Sequence, residues 1–179
     1  MKKISLVLVL SLMLSGCASY GPVKGANYEQ LIKNVLPPEA GAIKMSGTGT
    51  WYRDVGGVDN SIRRMPMKFA GEPVLPTNGI VVITKTALYF LQWYKETGAY
   101  KIMLRIRYDE IQSLQHGKLG SGRRIAIQEK DFSFTAVDFS LKGFIHNEAE
   151  TEEAFRLLQE MIKTSEPSFL ASPKRSTSH

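Results

Sequence analysis

The sequence predicts an α+β fold that is mainly β, with an antiparallel sheet closed by one C-terminal amphipathic helix. From residue 79 onward, short runs rich in β-branched and aromatic residues alternate with turn signals, which is typical of strands. After residue 146 the apolar spacing changes from a period of two to the helical period. A shorter apolar stripe ahead of the strands predicts a short N-terminal helix.

The length and charge limit the class of protein. A chain of 179 residues is enough for one domain with a core and two tails. The formal net charge of +6 is mildly basic, and it falls to +4 without Lys2 and Lys3. Because the basic residues are spread along the chain and form no single patch, we expect no nucleic-acid partner.

The first residues have the order of a secretory signal peptide. Two lysines precede an apolar run over residues 4–14, and small residues follow. The run LSGC at residues 14–17 resembles a lipobox, the recognition sequence of bacterial lipoproteins. The alternative is a retained transmembrane helix, for which the apolar run is short, or an ordinary cleaved signal with an accidental cysteine.

The lipoprotein resemblance implies removal of residues 1–16 and lipid attachment at Cys17. Cys17 is the only cysteine, so an exported chain can form no internal disulfide, and acylation accounts for the unpaired thiol. Several acyl chains would make the attachment to the membrane effectively permanent. Ala18 follows where lipoproteins of the inner membrane often carry Asp, so the resemblance implies the periplasmic leaflet of the outer membrane.

We expect a tether over residues 17–26 and a short helix over residues 27–38. Glycine and proline without apolar periodicity predict the tether. In the helix, Asn27 is the expected N-cap, with Gln30 three residues later. Its apolar stripe either packs on the domain, which we favour, or meets a membrane or partner. The stripe consists of Tyr28, Leu31, Ile32, Val35 and Leu36.

The next stretch is rich in glycine. Residues 41–54 predict a loop or weak strand, because neither the spacing nor a following helix fits a phosphate-binding loop. A turn over residues 55–60 and a further strand over residues 61–70 are expected to follow.

Six further strands are predicted from residue 79. They cover residues 79–83, 87–93, 100–107, 111–115, 123–128 and 132–139. Residues 96–98 predict a hairpin turn, and residues 117–122 a loop. In the third strand, Ile102, Leu104 and Ile106 are expected on one face, opposite Lys101, Met103, Arg105 and Arg107. In the last hairpin, Ile125, Ile127, Phe132 and Phe134 are expected to be buried.

The last helix is predicted to start at Asn147, with Glu150 at the capping-box position, and to reach Lys163. Its apolar face comprises Ala154, Phe155, Leu158, Met161 and Ile162. Residues 164–179 contain Ser, Pro and basic residues and predict a disordered tail.

Three segments resemble landmarks of GRAM and bacterial PH-like domains. They are residues 71–72 (GE), 79–90 (GIVVITKTALYF) and 108–114 (YDEIQSL), followed by a hairpin and a helix in the family's order. The resemblance implies a small PH-like antiparallel β-barrel over residues 43–163, with the best support over residues 69–163. It also implies a non-catalytic binding or adaptor module, with an envelope protein as the expected partner. The alternative is a lipocalin-like lipoprotein that carries lipid or another apolar ligand, which requires an open cavity.

Two groups of residues are candidate contacts. Lys118, Arg123 and Arg124 bracket the predicted glycine loop and form a candidate anion site, although charges that serve only solubility give the same pattern. Trp93 and Tyr94 are a candidate partner or membrane patch if exposed, and core residues otherwise. The strand at residues 100–107 is expected to offer an unpaired edge to a partner strand.

No catalytic constellation is present in the sequence. His116, His146 and His179 are far apart, and no cysteine remains to bind a metal. No Gly-x-Ser-x-Gly elbow occurs. We therefore expect no enzyme activity, no cofactor and no metal site.

Overall fold

The computed structural model describes residues 20–23, 26–54, 76–119, 122–141 and 145–165. The predicted signal peptide, Cys17, the predicted turn at 55–60, the predicted strand at 61–70 and residues 166–179 lie outside these ranges. The helices are α1 (Ala26–Val35) and α2 (Glu148–Ser165), with 3-10 turns at Pro38–Ala40 and Tyr108–Glu110. The strands are β1 (Ile43–Asp54), β2 (Thr77–Thr84), β3 (Ala87–Tyr94), β4 (Ala99–Arg107), β5 (Ile111–Leu119), β6 (Gly122–Glu129), β7 (Phe134–Leu141) and β8 (Ile145–His146).

The strands form one antiparallel sheet. Its order is β4-β3-β2-β1-β7-β6-β5, and β8 pairs with β7. The strand β1 joins β2–β4 on one side to β5–β7 on the other. It pairs with β2 from Ile43 to Trp51 and with β7 from Gly49 to Asp54. In the part of the chain that the structure describes, β4 and β5 are the two ends and no ladder joins them. The mainly β class with a C-terminal helix is confirmed, whereas strand pairing does not close the sheet into a barrel.

Each face of the sheet packs against one helix. In β2, Val81 and Ile83 belong to the core under α2, while Ile80 and Val82 belong to the core under α1. All four side chains are fully buried. The core under α2 is filled by aromatic and branched side chains, including those of Trp51, Phe90, Ile125, Val137, Phe139 and Leu158.

The helix α1 packs on the sheet through its apolar stripe. Ile32 is fully buried, and Tyr28, Leu31, Val35 and Leu36 are packed around the same core. The packed interpretation of this helix is therefore confirmed. The helix begins at Ala26, so Asn27 lies inside it and the prediction of Asn27 as N-cap is wrong.

The glycine-rich stretch is the central strand. Residues 43–54 form β1, so the strand alternative is confirmed and the loop alternative is wrong. With 12 residues and ladders on both sides, the strand is not weak. Its glycines allow close packing. A Cβ atom at Gly49 would lie 2.6 Å from the carbonyl oxygen of Asp138 and 2.7 Å from the Val81 side chain. Glycine here marks a close approach of neighbouring chains.

A bulge in β4 changes the face of Ile102. Phe90 pairs with Leu104, and the next residue, Leu91, pairs with Ile102, so Met103 is an additional residue in β4. Because a bulge reverses the alternation beyond it, Ile102 shares the face of Leu91. The expected common face of Ile102, Leu104 and Ile106 is therefore wrong at Ile102, since the bulge is not visible in the alternating pattern.

The strands β5 and β6 are longer than expected. Lys118 pairs with Arg123 and Gly117 with Arg124, so much of the predicted loop at residues 117–122 is a β ladder. Phe132 lies in the β6–β7 turn with a φ of 69° and is 62% exposed. Its predicted burial is wrong because β7 starts at Phe134, after the turn.

The helix α2 is capped as predicted. The Glu150 amide donates to Asn147 Oδ1 at 3.2 Å, and Asn147 Nδ2 donates to the Glu150 carboxylate at 2.7 Å. Ala154, Phe155, Leu158 and Met161 are buried, which confirms the apolar face. The helix ends at Ser165, two residues beyond the predicted end.

Candidate functional site

The predicted patch residue Trp93 lies at the end of β3 and packs on Tyr100. The two rings meet nearly edge to face, with centroids 5.0 Å apart and an interplanar angle of 69°. Tyr100 is buried, whereas Trp93 is half-buried against the core under α1. We call residues 93–100 the hairpin end. It comprises these two aromatic residues, Tyr94, the exposed turn at residues 95–98 and Ala99.

The segment Tyr20 to Val23 is bound to the hairpin end. The Tyr100 hydroxyl lies 2.9 Å from the carbonyl oxygen of Tyr20 and 3.0 Å from that of Pro22, and donates to both acceptors. Gly21 has a φ of 66°, and a Cβ atom there would lie 2.5 Å from Cδ2 of Trp93. Val23 packs on the core under α1. The predicted loose tether is therefore wrong for these four residues.

Burial raises the pKa of Tyr100 above its ordinary value of 10.0. A tyrosine of ordinary pKa is already protonated at neutral pH, and the raised pKa keeps this hydroxyl protonated further into the alkaline range. A protonated hydroxyl can donate to the two carbonyl oxygens, which are acceptors only. The hydrogen bonds that hold the segment therefore persist at neutral pH.

Tyr94 does not join Trp93 in one patch. Neighbouring residues of a strand point to opposite faces, so the two rings lie on different sides of β3. Lys101 Nζ lies 4.1 Å from the centroid of the Tyr94 ring, and the Tyr94 hydroxyl lies 3.7 Å from Met103 Sδ. Tyr94 is half-buried and belongs to the surface along the edge strand β4.

The edge strand β4 exposes two apolar side chains. Ile102 is 37% exposed and Met103 is 47% exposed, and both lie at the bulge. Large apolar residues on an unpaired edge offer contact area and free backbone groups to another chain. The nearby cations Arg105 and Arg107 are paired with Glu39 and Asp109 respectively.

The predicted anion-site residue Arg124 lies in a buried cluster. Its Nε lies 3.0 Å from Asp138 Oδ2, with side-chain exposures of 14% and 10%. The guanidinium lies 4.5 Å from the centre of the Tyr52 ring and donates to the Tyr52 hydroxyl at 3.3 Å. His146 Nδ1 lies 3.9 Å from the same carboxylate. Arg124 thus balances an internal negative charge.

Burial raises the pKa of Asp138, against the opposing charges of Arg124 and His146. Sequence reasoning missed this cluster because Tyr52 and Asp138 meet only through the β1–β7 pairing. One signal was present. Asp138 alternates with the apolar Val137 and Phe139, which predicts a polar residue on the opposite face.

Arg123 does not join Arg124 in this cluster. Arg123 is exposed and lies 3.5 Å from Glu152 on α2, which also lies 3.4 Å from His116. Lys118 occupies the position opposite Arg123 in the ladder. Adjacent residues of a strand point to opposite faces of the sheet, so Arg123 and Arg124 cannot bind the same anion.

A surface cavity of about 360 Å³ lies beside the β2–β3 turn. Its lining includes Lys85, Thr86, Arg105, Arg107 and Asp109. Because two of these cations already pair with carboxylates, the cavity is mixed in charge. It does not concentrate charge of one sign on a ligand.

Among residues 20–23, 26–54, 76–119, 122–141 and 145–165, no group of three His, Cys, Asp or Glu side chains could hold a metal ion. No helix in the same ranges is long and apolar enough to cross a membrane.

Comparison with known proteins gives a likeness in structure only. No protein-family model and no curated protein matches the chain. It is similar, at 10% identity and a TM-score of 0.52, to a structure reporting a critical structural role for the PH and C1 domains of the Vav1 exchange factor. The match covers 78% of this chain and 32% of that one.

The apo structure of the activated truncation of Vav1 is similar at 11% identity, with the same shares of each chain and a TM-score of 0.49. The chain thus spans about a third of the length of these structures. At such low identity the first likeness shows the fold alone. Together with the strand order and the C-terminal helix, it identifies the fold as PH-like.

Proposed function

We propose that this protein is a bacterial envelope lipoprotein, acylated at Cys17, whose PH-like domain is a non-catalytic adaptor for an envelope protein. The sequence of residues 1–17 supports the lipid anchor, and Ala18 supports the periplasmic face of the outer membrane. The observation that carries the adaptor role is the edge of β4, which no other described strand covers, with Ile102 and Met103 exposed beside the hairpin end.

The β4 edge suits an extended segment of a partner protein. A partner strand would satisfy the outer backbone groups of β4, and its side chains would cover the two exposed apolar residues. The bulge at Met103 interrupts the regular spacing of these groups, and such irregular edges resist indiscriminate pairing. The edge therefore favours a partner with a matching irregularity over aggregation.

A carrier function receives less support. A lipid carrier needs an open interior, whereas the core under α2 is filled by the protein's own side chains. Half of the residues that line the cavity beside the β2–β3 turn are charged, which does not suit an acyl chain.

The adaptor role is tested by photo-crosslinking in living cells. A photoreactive amino acid at Met103 is compared with one at Phe132, which is also apolar and exposed but lies in the β6–β7 turn. We expect one dominant envelope-protein adduct from position 103 and none from position 132. An Ile102→Asp substitution, combined with the probe at position 103, should abolish the adduct. Equal adducts from both positions, or no loss on substitution, would refute the edge as the adaptor surface.

A further inference from the structure

The docked segment lies very close to the proposed anchor. Tyr20 follows Cys17 by three residues, and three residues span at most about 11 Å when fully extended. The Tyr20 carbonyl oxygen is fixed by the Tyr100 hydroxyl, and Gly21 is packed against the Trp93 ring. A lipid on Cys17 would therefore be held within a short distance of the hairpin end.

The docked segment would hold the anchor near only one end of the sheet. Tyr100 is the second residue of β4, directly after the turn at residues 95–98. Lys85 lies in the turn at the other end of β3, a strand of eight residues or about 26 Å. An anchor of at most about 11 Å holds the hairpin end near the bilayer, whereas the turn at Lys85 can lie up to about 26 Å farther away.

We propose that the hairpin end rests on the phospholipid headgroups and that the PH-like domain is thereby held in one orientation. The inference rests on the proposed acylation of Cys17. The exposed Lys95 and Lys101 outnumber the exposed Glu96 at or beside this end, and this net positive charge suits an anionic surface. Trp93 and Tyr94 are of the residue types favoured at membrane interfaces. The β4 edge then runs from the membrane outward, with its apolar bulge accessible to a partner in the periplasm.

The orientation is tested with the full acylated protein in vesicles of phosphatidylethanolamine and phosphatidylglycerol. Glu96→Cys at the hairpin end and Lys85→Cys at the other turn are each labelled with a fluorophore, and the quencher is a nitroxide on a lipid headgroup. Both positions are exposed. We expect quenching several-fold stronger at position 96 than at position 85. Equal quenching, or stronger quenching at position 85, would overturn the proposal.

Two variants test whether the docked segment sets the orientation. Tyr100→Phe removes only the hydroxyl that binds the Tyr20 and Pro22 carbonyls, and Gly21→Ala places a methyl group against the Trp93 ring. Each should reduce the difference between the two labels. If the difference is unchanged in both variants, the segment does not orient the domain and the inference is wrong.

The intact mass separates this inference from the proposed function. If Cys17 carries no acyl group, the lipoprotein proposal fails and the inference fails with it. If the acyl mass is present and the two labels are quenched equally, the orientation alone is wrong.

Discussion

Replacing Arg124 by Met should destabilise the protein in a pH-dependent way. Met keeps much of the apolar stem but leaves the Asp138 carboxylate without the guanidinium that lies 3.0 Å away. Breaking a buried ion pair by removing one partner costs about 3–5 kcal/mol. Because both side chains retain a little exposure, 14% and 10%, we expect about 3 kcal/mol at pH 7, at the low end of that range.

The sign of the pH dependence follows from Asp138. Burial raises its pKa above the ordinary value of 3.8, so the folded protein binds this proton more tightly than the unfolded chain. Its contribution to stability is complete below that ordinary value and is lost as pH rises through the raised folded-state pKa. Without Arg124 the folded-state pKa rises further. The variant carboxyl is therefore neutral to a greater extent at pH 4.5 than at pH 7, so the cost should be smaller at pH 4.5 and approach about 1 kcal/mol, the cost of the lost Tyr52 contact.

Urea unfolding at pH 4.5 and pH 7, followed by tryptophan fluorescence, measures both costs. Arg123→Met is the matched control, because its neighbouring guanidinium is exposed, and it should leave stability unchanged within error. The two measurements are repeated in a His146→Gln background. This substitution removes the other group that faces Asp138, since His146 Nδ1 lies 3.9 Å from Asp138 Oδ2. A cost below about 1 kcal/mol at pH 7, or equal costs at both pH values, would refute the internal charge balance.

Three further outcomes are expected. Cys17→Ser should yield an unacylated species that does not partition with membranes, and an unchanged mature mass and membrane extraction would contradict the anchor. Gly79→Ala should cost about 3 kcal/mol in urea unfolding, because the new Cβ would overlap the Leu91 carbonyl oxygen and lie 2.7 Å from the Trp51 ring; a neutral effect would show that β2 can shift. Asn147→Ala should cost about 1 kcal/mol through loss of the α2 cap, with Asn147→Ser restoring most of it; equal losses in both would argue against capping.

Local patterns predicted the elements whose burial follows from their own sequence. The strands β2 and β3 are apolar throughout their middle, and α2 carries a cap and an apolar face within one segment. The strand β1 was underestimated because Gly47 and Gly49 lower strand propensity. These glycines allow β7 to pack closely against β1, and this role cannot be recognised without the position of β7.

The candidate site was less predictable because its contacts are non-local. The Tyr100 hydroxyl binds carbonyl oxygens about eighty residues earlier, and Arg124 meets Asp138 across a hairpin. The bulge at Met103 is set by the pairing of β3 with β4, so simple alternation assigned Ile102 to the wrong face. Side-chain type and spacing carry no direct information on such partners.

The shared strand β1 also constrains the order of assembly. Gly49 pairs with Phe139, ninety residues later, whereas β2–β3, β3–β4, β5–β6 and β6–β7 are local hairpins. Closing so long a loop costs conformational entropy before the β1–β7 contacts can form and stabilise the chain. This cost slows folding. During synthesis or export, the second half of β1 therefore stays without its β7 partner until nearly the whole domain has emerged. A nascent chain that stalls before residue 134 exposes that segment to other strands.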